Sequence, residues 1–338
     1  MIQILTLLAA CLFSCLVGQA DGVPPSCSQA APKPLYVDPV HGGAADPVII
    51  RNRRDGLWYM FYTNRRADLR DGRGAEWVHG SPIGIATSPD LANWTYLQEA
   101  QIGYAPDPDP TYWAPSVVDD GREYHMYLTY VPGIFPDWDH PRHIVHLTSD
   151  DLIHWEFRQV LDLISEKVID ADVARLPDGT WRMWYNDEPT GKRIAWADSP
   201  DLYHWEDHGL LPGISSCEGP KAFFWKGSWW LICDEWKGFA VWRSDDAEHW
   251  TRQEGNLLQE PGRGAFDDVA GNHGDVVVLG DRAYIFYFTH LRRFRGLQPD
   301  TPRSEGLSPN STFIQVAELR CEDGRTLSCD RDAPTVFP

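Results

Sequence analysis

Three acidic residues stand at similar distances before glycine-bearing turns in separate parts of the chain. The distances are ten residues from Asp46 to Gly56, nine from Asp170 to Gly179 and nine from Glu218 to Gly227. Carboxyl groups that lie close together can take different roles in acid–base catalysis. One stays protonated and donates its proton, while another is ionised and activates a water molecule. Hydrolysis of a glycosidic bond needs this pair of roles. The pattern predicts that the three acids converge at one site of acid–base chemistry.

The elements that must position these acids are indicated by a repeat. Four segments share the pattern Ser-x-Asp-x-x-x-Trp, and they begin at Ser88, Ser149, Ser199 and Ser244. The spacings of 61, 50 and 45 residues match the size of one β-propeller blade with loops of variable length.

An aromatic strand precedes each of these boxes and follows a glycine-bearing turn, a strong hairpin signal. The strands are predicted at residues 58–62, 124–128, 181–185 and 229–232, with a fifth at 284–288 that lacks a box. Five such units predict an all-β fold, a five-bladed β-propeller, over residues 35–338. The fifth blade is expected to end in the strand run 313–319. Since innermost strands begin near the propeller axis, the three acids are expected at one mouth of the central channel.

A family resemblance rests on four short motifs in order along the chain: Ala45-Asp46-Pro47, Trp113-Ala114-Pro115, Ile169-Asp170-Ala171 and Glu218-Gly219-Pro220. Together with the boxes they resemble glycoside hydrolase family 43 over roughly residues 40–320. The resemblance implies a five-bladed propeller and an inverting mechanism. It implies that Asp46 is the general base, that Glu218 is the general acid, and that Asp170 orients this acid and tunes its pKa.

Two positions depart from the family pattern. Ala171 stands where proline is usual, and Asp172 rivals Asp170 for the third role. Lys221 stands where histidine commonly follows Glu-Gly-Pro. The chain therefore resembles a divergent relative, such as the agar-degrading family 117 type, and the identity of the sugar is left open.

Several further residues are candidates for binding. Trp113 opens the second blade and is expected to stack on a sugar ring, and Trp77, His79 and Trp138 lie in long loops that are expected to line the pocket. His273 is similar in position to a family histidine that lies near a calcium ion bound through water, which makes a structural calcium an expectation; the alternative is a hydrogen-bonded channel histidine. Arg292, Arg293 and Arg295 would suit an anionic sugar or a solvated loop.

The net charge and the N-terminal sequence indicate which kinds of partner and which cellular compartment to expect. A net charge of −19 repels phosphate backbones and anionic lipids, so we expect neither nucleic acid nor membrane as a partner, but a carbohydrate. Residues 1–20 resemble a signal peptide and residues 21–34 a linker, which predicts a secreted or periplasmic protein. Lipoprotein anchoring at Cys15 is the alternative.

Cysteine usage is consistent with export. Disulfides are plausible between Cys321 and Cys329 and between Cys217 and Cys233, with Cys27 left over. The patterns typical of zinc sites do not occur in the sequence.

Three functions follow from these observations. The first is hydrolysis of plant or algal polysaccharides or oligosaccharides, by an activity like α-L-arabinofuranosidase, β-xylosidase or anhydrogalactosidase. The second is a retaining fructan hydrolase of the family 32 type, although its Asn-Asp-Pro, Arg-Asp-Pro and Glu-Cys patterns differ from this sequence. The third is a propeller that binds glycans without cleaving them.

Overall fold

The computed structural model describes residues 29–291 and 307–338. In these residues the regular structure consists of 21 β-strands in five antiparallel sheets, one of which carries a short parallel strand at its edge. The all-β, five-bladed propeller predicted from the repeat is thereby confirmed. The predicted signal peptide and the residues Cys27, Arg292, Arg293 and Arg295 lie outside the described residues. Within the described part of the chain, no helix is long and apolar enough to cross a bilayer.

The strands of each blade follow one another in sequence. Blade 1 contains β1 (Ala44–Arg51), β2 (Trp58–Asn64), β3 (Ile83–Ser88) and β4 (Thr95–Glu99). Blade 2 contains β5 (Gln101–Ile102), β6 (Thr111–Asp119), β7 (Tyr124–Val131), β8 (His143–Ser149) and β9 (His154–Val160). Blade 3 contains β10 (Val168–Arg175), β11 (Trp181–Asp187), β12 (Arg193–Ser199) and β13 (Glu206–Leu210).

The last two blades repeat this order. Blade 4 contains β14 (Glu218–Trp225), β15 (Ser228–Asp234), β16 (Phe239–Ser244) and β17 (Thr251–Arg252). Blade 5 contains β18 (Asn272–Leu279), β19 (Arg282–His290), β20 (Thr312–Arg320) and β21 (Ser328–Cys329). The run 313–319 thus lies in the third strand of blade 5, and β21, which is too short to give a sequence signal, ends the blade. The inner strands β1, β6, β10, β14 and β18 contact one another in a closed ring around the axis.

The hydrophobic core lies between blades rather than in one centre. Five clusters of buried side chains each join two neighbouring blades. The box tryptophans belong to this packing: Trp155 of blade 2 meets Phe61 of blade 1 edge-on at 5.7 Å, and Trp205 of blade 3 meets Tyr127 of blade 2 at 5.4 Å. Each box therefore anchors its blade on the preceding one.

The polar part of each box forms the turn into the outermost strand. Asp246 accepts hydrogen bonds from the backbone N–H groups of Glu248 and His249, and the His249 ring contacts its other oxygen at 2.8 Å. These contacts lower the pKa of Asp246 below its ordinary value, with the backbone hydrogen bond from His249 as the largest cause. The boxes are therefore structural.

The N-terminal segment closes the ring. Residues 29–34, the end of the predicted linker, lie against the C-terminal residues, where Ala31 N–H donates to the Thr335 carbonyl at 2.8 Å. Tyr36 then bridges to Ile314 in β20. The segment before β1 thus joins blade 1 to blade 5.

Neither expected disulfide is present in the structure. Cys217, Cys233, Cys321 and Cys329 carry free thiols. Burial raises the pKa of Cys233 well above its ordinary value and that of Cys329 to about 11. Buried, protonated thiols of this kind are poor nucleophiles.

Candidate active site

A β-bulge interrupts all five inner strands at the same position. The pairing with the second strand shifts at Asp46, Ala114, Asp170, Gly219 and His273. The first four of these residues have positive φ, between 42° and 58°. A bulge adds a residue to one strand and re-aims its side chain. The repeated bulge turns Asp46, Asp170 and His273 towards one cavity at the channel mouth.

The bulge also corrects the predicted register of Glu218. Asp46 and Asp170 occupy the bulge itself, whereas Glu218 lies one residue before it, where Gly219 takes the bulge position. Counting back from the turn glycines puts Glu218 level with Asp170, because the count treats all turns as equally long. Two residues join β14 to β15, but five join β10 to β11.

The cavity at this mouth has a volume of about 1440 Å³. Its lining combines carboxylates, cations and aromatic rings from all five blades. The lining residues used below are Asp46, Arg65, Trp77, Trp113, Trp138, Arg142, Asp170, Glu188, Lys192, Glu218, Trp236, His273, Phe288 and His290. The structure thus brings together the three acids singled out in the sequence.

Asp46 lies beside Arg65 and His273. It is 6% exposed, and Arg65 Nη2 lies 3.2 Å from each of its carboxylate oxygens. His273 Nδ1 lies 3.6 Å from Asp46 Oδ1. The guanidinium of Arg65 itself lies over the ring of Phe288, 4.7 Å from its centroid. Arg65 thus places positive charge beside the Asp46 carboxyl group.

Asp170 is the carboxyl group that favours its protonated form. Burial raises its pKa to about 7, and the neighbouring charges of Glu218 and Asp46 also raise it, while His273 acts in the opposite direction. Asp170 Oδ2 accepts a hydrogen bond of 3.1 Å from the backbone N–H of Gly219. The third acid therefore contacts the strand that carries Glu218.

Glu218 has a donor on each carboxylate oxygen. Lys192 Nζ lies 2.6 Å from Oε2, and the indole N–H of Trp236 donates to Oε1 at 2.8 Å. Its side chain keeps 22% exposure towards the cavity. Glu218 is thus oriented by two contacts and open to a bound molecule.

Asp172 lies below this layer, outside the cavity lining. Its oxygens accept hydrogen bonds from Lys221 Nζ at 2.9 Å and from the Ala222 backbone at 2.8 Å. Lys221 Nζ also lies 2.7 Å from Asp275 Oδ1. The Asp172–Lys221–Asp275 triad joins blades 3, 4 and 5 inside the channel, and it explains why lysine follows Glu-Gly-Pro here.

The described residues do not form a directly coordinated metal site. Among residues 29–291 and 307–338, no group of three or more His, Cys, Asp or Glu side chains is arranged to hold an ion. The ammonium of Lys221 supplies positive charge to Asp172 and Asp275, so these two carboxyl groups have a partner without a metal ion. Calcium bound near His273 through water alone stays a prediction.

The predicted aromatic residues are placed differently from one another. Trp77 lines the cavity and stacks on His290 at 5.2 Å; Trp138 lines its rim and is 56% exposed. Trp113 lines the cavity but is 7% exposed, with its indole N–H bound to the Val78 carbonyl. His79 does not reach the cavity: it is buried behind Trp113, because its Nδ1 is held by the Ala75 carbonyl at 3.1 Å. We therefore assign His79 to packing rather than to substrate binding.

Several cavity residues were not identified from the sequence: Arg65, Arg142, Glu188, Lys192, Trp236, Phe288 and His290. Most of them lie just after the second strand of a blade or at its end. Since that strand runs antiparallel to the inner strand, its end faces the same mouth as the inner strand's start. The position of a residue directly after an aromatic strand is therefore the sequence feature that could have identified these cavity residues.

Known proteins share this architecture. A family-43 glycoside hydrolase described as thermostable superposes with a TM-score of 0.63 at 18% identity, over 90% of this chain and 97% of that chain. A family-43 β-1,3-galactosidase solved with galactodeoxynojirimycin gives 0.62 at 13% identity, over 90% and 97%. A β-xylosidase/α-arabinofuranosidase from a compost microbial metagenome, in complex with xylotriose, gives 0.62 at 14% identity, over 90% and 99%. At these identities the likeness establishes the fold.

Sequence comparison supplies the family. No curated protein sequence matches the chain. A family model described as a probable glycosyl hydrolase domain, related to family 43, matches residues 35–277, which is more than half of the chain. The chain therefore belongs to the probable glycosyl hydrolases related to glycoside hydrolase family 43.

Proposed function

We propose that the protein hydrolyses glycosidic bonds with inversion, with Asp46 as general base, Glu218 as general acid and Asp170 as the third acid. One observation carries the proposal: three carboxyl groups with different partners face one cavity at the channel mouth. Environments that separate the protonation of neighbouring carboxyl groups are what acid–base catalysis requires. The family supports hydrolysis as the reaction class.

The role of each residue follows from its contacts. Asp46, ion-paired with Arg65, accepts a proton from a water molecule that attacks the anomeric carbon. Glu218 gives a proton to the leaving oxygen as the bond to that carbon breaks. Asp170 holds a proton near neutral pH and, through Gly219, fixes the strand of Glu218.

The charges of the cavity favour an uncharged sugar. In the part of the chain that the structure describes, the lining has seven acidic side chains and four basic ones: Asp46, Asp137, Asp139, Asp170, Glu188, Glu218 and Asp234, with Arg65, Arg142, Lys167 and Lys192. Each of the four cations already contacts a carboxylate. Within the described lining, a uronic acid or a sulfated sugar would therefore add negative charge without an unpaired cation to receive it.

The size of the cavity favours more than one sugar unit. Its volume exceeds the range of about 300–1000 Å³ that is typical of small-molecule pockets, and aromatic rings stand on its walls. Structural neighbours include a β-xylosidase, an exo-1,5-α-L-arabinanase and an exo-β-1,3-galactanase. Neutral oligosaccharides of xylose, arabinose or galactose, including anhydrogalactose-containing ones, are the substrates we infer for this chain. Export through the predicted signal peptide would place the enzyme where such polymers occur.

The test is a substrate panel followed by product stereochemistry. Arabinan, xylan, galactan, agaro-oligosaccharides and inulin, with pectin as the anionic comparison, are incubated with wild type, Asp46→Asn and Glu218→Gln. For the substrate that is cut, proton NMR during the first minutes identifies the anomer released. Inversion supports the proposal, while retention, or cleavage of inulin alone, supports the fructan-type alternative. Binding to the panel without cleavage supports the glycan-binding alternative.

A further inference from the structure

Glu218 is held by one fixed and one exchangeable partner. We propose that Trp236 and Lys192 position Glu218 so that Oε2, the oxygen facing Lys192, donates the proton, and that the leaving sugar lies on the Lys192–Trp236 side of the cavity. This inference rests on the proposed role of Glu218 as general acid. It assigns two positioning residues and one subsite.

Trp236 is the fixed partner. It has φ of 60°, a conformation that is rare for a bulky residue and persists only where the surroundings impose it. Its backbone N–H donates to Asp234 Oδ1 at 2.5 Å, and Glu235 N–H closes the loop on the Gly238 carbonyl at 3.1 Å. The backbone that carries the indole is therefore held in place, and the indole N–H, which can only donate, reaches Glu218 Oε1 at 2.8 Å.

Lys192 is the exchangeable partner. Its side chain is 38% exposed, and its ammonium lies 2.6 Å from Glu218 Oε2 and 3.5 Å from Glu188 Oε1. Arg142 Nη1 lies 3.0 Å from Glu188 Oε2 and holds this side chain in place. The Glu188 carboxylate is therefore a second partner within reach of the Lys192 ammonium. Because an ammonium only donates, Oε2 cannot bear a proton that points at Lys192. A short movement of Lys192 towards Glu188 frees Oε2 to take a proton from solvent.

The proton balance then follows for one turnover. Oε2 carries the proton and transfers it to the glycosidic oxygen, which keeps the electron pair of the broken bond and leaves with the second sugar. Water supplies the hydroxyl group at the anomeric carbon and gives its proton to Asp46. Both carboxyl groups return to their starting states by exchange with solvent.

The position of the Trp236 ring assigns the subsite. The ring lines the cavity beside Glu218, with Lys192 Nζ 5.3 Å from its centroid. A sugar whose glycosidic oxygen receives the proton lies next to this ring, and aromatic faces pack against the apolar faces of sugars. The Asp46 side, with Trp77 and His290, is left for the sugar that is hydrolysed.

The first test follows the Trp236 indole N–H by NMR in full-length protein labelled with ¹⁵N-tryptophan. Trp236→Phe assigns the resonance. We expect Glu218→Gln and Lys192→Met each to shift this resonance, while Lys237→Met, which removes a mostly exposed lysine from the same loop, leaves it in place. A Trp236 resonance that is identical in wild type and Glu218→Gln would overturn the inference without touching the role of Glu218.

The second test varies the leaving group. A 2,4-dinitrophenyl glycoside needs little protonation of its leaving group, whereas a disaccharide needs it fully. With the sugar that the panel identifies, Trp236→Phe and Lys192→Met should lose at least tenfold in kcat/KM on the disaccharide and less than threefold on the aryl glycoside. Equal losses on both substrates would contradict a positioning role. If Glu218→Gln itself retains wild-type activity on the disaccharide, the proposed function fails instead.

Discussion

The carboxylate of Asp170 accepts a hydrogen bond of 3.1 Å from the backbone N–H of Gly219, the residue that follows Glu218. In the proposed mechanism Asp170 acts on Glu218 in two ways, through the charge of its ionised form and through this bond to the strand. Asparagine can keep the bond but not the charge. Asp170→Asn therefore separates the two contributions.

Asp170→Asn is expected to lower kcat/KM by about 100-fold, within the range for loss of an acid–base group, and to make the protein more stable at high pH. Burial raises the pKa of Asp170 from 3.8 to about 7. A raised carboxyl pKa stabilises the folded state below about pH 4, and this contribution is lost as pH rises to about 7. Thermal denaturation should show a higher Tm for the variant above pH 7 and equal values near pH 4. A Tm difference that does not change with pH would contradict the raised pKa.

Gly219→Ala is expected to displace the site. The added Cβ would lie 2.5 Å from His273 Cγ, at a residue with φ of 58°. We expect a loss of about 2 kcal/mol in stability and at least tenfold in kcat/KM. The control is Gly227→Ala in the same hairpin, where φ is 80° and the space is open. Urea unfolding and initial rates should show the control losing stability alone; equal activity losses in both variants would refute the steric account.

Lys221→Met is expected to destabilise the protein strongly. It leaves Asp172 and Asp275 as buried carboxylates without their shared ammonium, a change that typically costs about 3–5 kcal/mol. EDTA separates this ion network from the calcium predicted near His273, because chelation does not remove the charge that Lys221 gives to Asp172 and Asp275. The measurement is thermal unfolding of both proteins with and without EDTA. A marked fall in the wild-type Tm on chelation would instead support the calcium predicted near His273.

Trp138→Ala is expected to weaken substrate binding without affecting folding. The side chain is 56% exposed on the cavity rim, so its removal leaves no buried void. We expect KM to rise by about fivefold, consistent with one aromatic contact, with kcat and Tm unchanged. Phe224→Ala removes an aromatic side chain of similar exposure outside the cavity lining and should leave KM unchanged. Similar Michaelis constants for Trp138→Ala and wild type would exclude this ring as a sugar platform.

The fold was predictable because its signals are local and repeated. Glycine-bearing turns and aromatic strands mark the five blades, and Ser-x-Asp boxes mark four of them. The box tryptophans, such as Trp155, pack at the contact with the preceding blade. The register of the inner strands was harder to predict, because the turn after the inner strand differs in length from blade to blade. For that reason the count from the turn glycines puts Glu218 level with Asp170, although Glu218 precedes the bulge by one residue.

The remaining part of the site depends on loops. Lys192 and Trp236 reach Glu218 from connections whose conformations are set by contacts such as Trp236 N–H with Asp234, and no periodicity encodes these. His79 is expected from its loop to line the cavity, but it does not. Its ring contacts the Ala75 carbonyl and is buried in the protein. The sequence leaves Asp170 and Asp172 as rivals for the third role. The contact of Asp172 with Lys221 and the place of Asp170 in the cavity lining favour Asp170, and both depend on the three-dimensional structure.

The most direct test of the central claim is kcat/KM for Asp46→Asn and Glu218→Gln on the sugar identified by the panel, beside the surface control Asp245→Asn, whose side chain is 76% exposed. We expect each site variant to lose about 1000-fold or more in kcat/KM with an unchanged Tm, and the control to stay within twofold of wild type. Site variants that retain more than a tenth of wild-type activity would contradict the assignment of Asp46 and Glu218 as the catalytic pair.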